Sequence, residues 1–183
     1  MNVGPARRMC KFSLMKRVGL PSSRCRRLGS GGVRSAQVGA TCPSLKIMIG
    51  AGASLSQGFG QISIQSLLLG INGSTAIASD DEDHFSGNWS LTTYAICANH
   101  GPDVQAVSFT RELDTSPGAN IDTFCTQDRR AISAGWDLPV GEQTFATDAY
   151  FRYPNAVEVE AHEDADGFDG LWSFSAEAMC ATP

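Results

Sequence analysis

The sequence predicts an all-β protein in which two tandem four-stranded repeats form one pseudo-twofold β-sandwich stapled by disulfides. Three observations predict it. The chain matches itself at a spacing of 83 positions, its apolar residues alternate at a period of two, and cysteines bound both matched segments at the same interval.

The internal match aligns residues 42–98 with 125–181 without a gap, and 17 of the 57 positions are identical. The densest run is Asp81, Asp83, Phe85, Gly87, Trp89, Ser90, Ala95, Cys97 and Ala98, matched by Asp164, Asp166, Phe168, Gly170, Trp172, Ser173, Ala178, Cys180 and Ala181. Chance does not put Cys, Trp, Gly and Asp together in one register, so the match reads as a duplication.

Each copy reads as four strands. Val157, Val159 and Ala161 alternate with Glu158, Glu160 and His162, the pattern of a half-buried strand. Phe145, Thr147, Ala149, Phe151 and Tyr153 are expected on one face of the strand before it. Ile62 and Ile64 alternate with Gln61, Ser63 and Gln65 in the first copy. The last strands carry Trp89, Leu91, Thr93, Ala95 and Cys97, and Trp172, Phe174, Ala176, Ala178 and Cys180, each set on one face. Val104–Arg111 reads as a further strand, set between Gly101-Pro102 and Ser116-Pro117-Gly118. The organisation is therefore a first repeat at 41–98, a linker with one strand at 99–120 and a second repeat at 121–183. A repeat of 57 residues has a thin core, so one core shared by both is expected.

Charge divides the chain. Residues 1–40 hold nine of the 14 Lys and Arg, and no Asp or Glu precedes Asp80. This segment, basic and rich in Gly and Ser, reads as a disordered or cleaved leader. It lacks the apolar run of a complete signal peptide. Arg7-Arg8 hints at a twin-arginine signal and the composition also suits a transit peptide, but a misplaced start codon is the reading ranked first. From Cys42 onward there are five basic and 19 acidic residues, a surface that argues against nucleic-acid binding. No apolar stretch is long enough to span a bilayer.

Cys42 and Cys97 lie 55 positions apart, as do Cys125 and Cys180, and no short C-x₂₋₄-C pair suggests zinc. Structural disulfides and an oxidising compartment follow. Of the three connectivities open to four cysteines, duplication favours Cys42–Cys97 and Cys125–Cys180, because an ancestral single copy would close its own bridge. Cys10 and Cys25 receive no role.

Cys42-Pro43, Gly50-Ala51-Gly52, the acidic turn and Trp89-Ser90-Leu91-Thr92-Thr93-Tyr94-Ala95-Ile96-Cys97-Ala98 resemble secreted actinobacterial proteins of unassigned function with cysteine-bounded β repeats. The second copy departs from the pattern at Thr126, Ser133 and Glu177. The resemblance covers residues 42–181. It implies export and a β fold, and brings no catalytic residue.

The run Gly50-Ala51-Gly52-Ala53-Ser54-Leu55 fails the dinucleotide fingerprint at its third glycine and reads as a turn or close strand contact. The acidic turns Asp80–His84 and Glu163–Gly167 are solvated hairpins or calcium sites, with Asp81, Asp83, Asp164 and Asp166 the candidate ligands. Their spacing does not make an EF-hand. Trp89 and Trp172 belong to the core, whereas Trp136, with Ala53 as its counterpart, is the candidate exposed aromatic for ligand binding. His84, His100 and His162 are not spaced as metal pairs, and no nucleophile elbow occurs. The expected function is an exported structural or binding module without catalysis, needing no cofactor unless calcium. A calcium-dependent or carbohydrate-binding module and a secreted hydrolase are the alternatives. The expected partner is a cell-surface or extracellular glycan or protein.

Overall fold

The computed structural model describes residues 8–14, 21–29, 34–57, 60–81, 83–99, 103–113, 116–126, 128–139 and 143–183. These residues form strands and no helix. In chain order the strands are β1 (Arg8–Leu14), β2 (Pro21–Gly29), β3 (Ser35–Thr41), β4 (Lys46–Ser56), β5 (Ile62–Gly70), β6 (Gly73–Asp80) and β7 (Trp89–Asn99). They continue as β8 (Val104–Leu113), β9 (Gly118–Phe124), β10 (Arg130–Asp137), β11 (Thr144–Tyr153), β12 (Ala156–Glu163) and β13 (Trp172–Ala181). The all-β class expected from the alternating pattern is thus observed.

Three sheets result, in the orders β1-β2-β7-β4, β3-β6-β5-β10-β13-β8 and β11-β12-β9. Strands 83 positions apart hold corresponding places. β7 lies between β2 and β4 as β13 lies between β8 and β10, and β6 lies between β3 and β5 as β12 lies between β9 and β11. The backbone repeats the correspondence outside the strands. Cys42 donates to Asn72 O and Cys125 to Asn155 O, while Asp80 donates to Arg34 O and Glu163 to Pro117 O. Leu45 and Asp128 share a positive φ of 66° and 68°. Six strands, rather than four, therefore make up each corresponding set.

That difference moves the start of the fold upstream. β3 alternates in burial, with Ala36, Val38 and Ala40 in the core, so the boundary expected at residue 41 falls at the end of a structural strand. β2 pairs with β7 from Ser22↔Ile96 to Gly29↔Trp89, and β1 pairs with β2 in a register that sets Cys10 opposite Cys25. The sequence masks these strands because positive charge and Gly-Ser content dilute their alternation.

The two expected disulfides are present, Cys42–Cys97 and Cys125–Cys180, with Cα atoms 5.8 and 5.6 Å apart. The faces of β7 and β13 are buried as read from the sequence, Trp89 and Trp172 included. The buried residues nevertheless separate into two clusters rather than one shared core. One gathers Val38, Met48, Leu67, Trp89 and Leu91, the other Ile121, Val157, Val159, Trp172 and Phe174. Each set closes over its own cluster, and the bridge within it restricts the unfolded chain. The clusters meet at Trp136, which packs against both, and at Met179, which is buried in the first.

β11 departs from the single-face expectation. Its register with β12 shifts between Ala146 and Asp148 and again between Phe151 and Tyr153. A bulge reverses the sides that follow it. Phe145, before the first shift, opposes His162, whereas beyond it Ala149 opposes the core residue Val159 and Tyr150 opposes Glu158.

Candidate functional site

β5 and β10 join the two sets through Leu67↔Trp136 and Ser66↔Asp137. Ser66 Oγ donates to Asp137 Oδ1 at 2.6 Å, and the Trp136 indole N–H donates to Ile64 O at 3.0 Å. The Gln65 amide donates to Thr144 O at 3.2 Å, tying β5 to the start of β11. Trp136, half-buried and bonded here, is a joint residue and not the exposed platform expected of a ligand-stacking aromatic.

Where β5 and β11 begin, an open cleft of about 610 Å³ is lined by Gly60, Asp81, Asp83, Phe145, Glu163, Asp164 and Asp166, with Ala165. A smaller recess of about 210 Å³ continues it past Gln61, Ile62, Ser63 and Thr144. All four candidate calcium ligands line this one cleft. Asp81 and Asp164 are counterparts at the 83-position spacing, as are Asp83 and Asp166. The fold therefore brings together two acidic turns that the sequence separates.

The turns are built alike. His84 N donates to Asp81 O and Gly167 N to Asp164 O, and His84 and Gly167 both adopt positive φ. Asp164 Oδ1 accepts from the N–H groups of Asp166 and Gly167, each at 3.1 Å, so this carboxylate shapes its own turn. Below the rim Asp80 is buried, with His84 Nδ1 at 3.7 Å from its Oδ2. Its counterpart Glu163 has one buried oxygen, Oε1, without a hydrogen-bond partner. Among the described residues, five carboxylates and no basic side chain line the cleft, so it attracts cations. No three acidic, His or Cys groups converge tightly enough to hold a metal ion among the described residues.

A second polar cluster escaped the sequence reading. On the β9-β12-β11 sheet, Glu158 is 4% exposed yet opposes Asp122 and Tyr150. Its Oε1 accepts from Asn120 Nδ2 at 2.9 Å and Tyr150 OH at 2.8 Å, and its Oε2 from Arg152 at 2.6 Å. Arg152 also donates to Asp122 Oδ2 at 2.8 Å. The bonds from Asn120 and Tyr150 hold the Glu158 carboxyl below its usual range. The same carboxylate pushes the Tyr150 phenol up to about 12. The bond to Asp122, and that charge, raise the Arg152 guanidinium further. Alternation marked Glu158 as an outward residue, but only the bulged register of β11 shows what covers it. His100 lies outside the described residues, and only the backbone of Cys10 and Cys25 is described.

Fold and site together define a disulfide-bonded, all-β protein with an acidic cleft at the meeting of two six-stranded sets. No protein-family model matches the sequence, and no curated protein matches it. No helix among the described residues is long and apolar enough to cross a membrane.

Proposed function

We propose that this chain is an exported binding module that works without chemistry of its own, and that the acidic cleft is its ligand site. The observation that carries this reading is the convergence of Asp81, Asp83, Glu163, Asp164 and Asp166 on one open cleft beside the ring of Phe145. Such a lining suits a lysine- or arginine-bearing segment of an extracellular partner, whose charged heads meet the carboxylates while an apolar stem lies on the ring. The cleft's width and the absence of a tight three-ligand group among the described residues favour this over a calcium ion. The two disulfides are in keeping with export to an oxidising compartment.

Calorimetric titration with a hexalysine peptide, and separately with calcium chloride, tests the proposal on the full chain. The peptide is expected to bind, with affinity falling as salt rises, and Asp81→Asn with Asp164→Asn is expected to abolish the signal. Absence of peptide binding overturns the proposal. Calcium binding that the same double substitution removes would replace it with the metal reading.

A further inference from the structure

We propose that β8 is the docking edge for a second copy of this chain, β8 pairing antiparallel with its own counterpart across a twofold axis. Among the described residues six strands end the sheets: β1, β4, β3, β8, β11 and β9. Exposed edges invite pairing, and folded proteins blunt them with short strands, bulges, prolines or charge. β1, β3 and β9 have seven residues each. β4 carries a register shift between Met48 and Gly50, and its Ala51 N–H is already spent on Ser133 Oγ at 3.1 Å. β11 carries two register shifts. β8 is longer than the seven-residue edges and carries no register shift. Its ten residues pair with β13 from Trp172↔Leu113 to Ala181↔Val104 without a break. It contains no proline, and its charges, Arg111 and Glu112, sit near one end.

The fold holds a precedent for an added strand at the corresponding place. β2 holds the place in its sheet that β8 holds beside β13, and β2 is covered by β1 along seven residue pairs. A strand outside β8 would repeat that arrangement. A second copy of β8 is the occupant its own sequence suits. With Ser108 opposite its symmetry mate, Val107 faces Phe109, Ala106 faces Thr110 and Gln105 faces Arg111. No like charges are opposed, and two aromatic–β-branched pairs form. Phe109, 56% exposed in the single chain, would gain a partner. The contact is isologous and closes at two copies.

Sedimentation equilibrium of the full chain tests the proposal. The expected species has twice the 19.4 kDa chain mass, and Phe109→Glu weakens dimerisation about tenfold or more, which corresponds to about 1.4 kcal/mol. Thr147→Lys on β11 leaves the dimer intact. Independently, Ser108→Cys in the otherwise unchanged chain cross-links two copies under mild oxidation by oxidised glutathione, the two thiols losing two protons and two electrons to the oxidant's disulfide. A chain that is monomeric at tens of micromolar, a dimer indifferent to Phe109→Glu, or a Ser108→Cys chain that does not cross-link overturns it.

Discussion

Glu177 on β13 accepts a hydrogen bond from the Leu69 N–H of β5 at 2.7 Å, so a carboxylate from the second set caps a strand edge in the first. The contact lies past the end of the short β5–β10 ladder, on the side of Leu69 opposite its β6 partner Ser74. Burial raises the Glu177 carboxyl above its usual range, with the Asp137 charge adding to the rise and the Leu69 N–H opposing it.

A carboxyl raised in the folded state contributes stability that is present below the unfolded value and is lost as pH rises through the folded one. Glu177→Gln keeps an acceptor for Leu69 N–H and removes the ionisation. The variant is expected to melt higher than the native chain at neutral pH and to equal it in acid. Thermal melts from pH 4 to 8 check this, and a variant less stable at every pH would show that the charge itself holds the seam.

The Tyr150–Glu158 bond predicts one phenol titrating at about 12. Alkaline titration followed at 295 nm should resolve it, and Glu158→Gln should bring it down toward the ordinary phenol range. The stabilisation held by Tyr150 is present below that range and is lost as pH rises through the folded value. That held by Glu158, whose carboxyl is lowered, is present above the ordinary carboxylate range and is lost as pH falls through its folded value. A titration with no phenol near 12 would dismantle the network.

Each disulfide spans 55 positions. In the chain-entropy model, closing such a loop contributes about 4 kcal/mol, a large share of the roughly 5–15 kcal/mol of a typical domain. Replacing Cys125 and Cys180 by Ala should therefore lower the unfolding free energy by about that amount in urea. A loss below about 1 kcal/mol would mean that the packing of Trp172 and Phe174 carries the second core alone.

Gly52 and Gly135 are counterparts, yet only one is confined. A Cβ on Gly135 would approach Leu67 O to 2.3 Å and Leu69 Cγ to 2.8 Å, whereas one on Gly52 meets nothing within 4 Å. Gly135→Ala should destabilise by about 1–3 kcal/mol, as overpacking does. Gly52→Ala should be neutral or stabilise by about 0.4–1 kcal/mol through the unfolded chain. Equal effects at the two positions would contradict the close β5–β10 approach.

The sequence by itself determined the strand class, the faces of β7 and β13 and the pairing of four cysteines. These rest on local alternation and on a match at fixed spacing, both of which a linear chain displays. Tertiary structure decided the rest. β3 is read as leader until its three small apolar residues are seen to fill a core, because alternation of Ala and Val among polar neighbours is a weak signal. Trp136 reads as a free aromatic until β5 supplies Ile64 O for its indole. The sides of β11 follow from bulges, which leave no mark in composition. Asp81 and Asp164 stand 83 positions apart in the chain, and only the seam where β5 and β11 begin brings them to one cleft. Contact between distant segments depends on which strand edges meet, and periodicity along one strand carries no information about that choice.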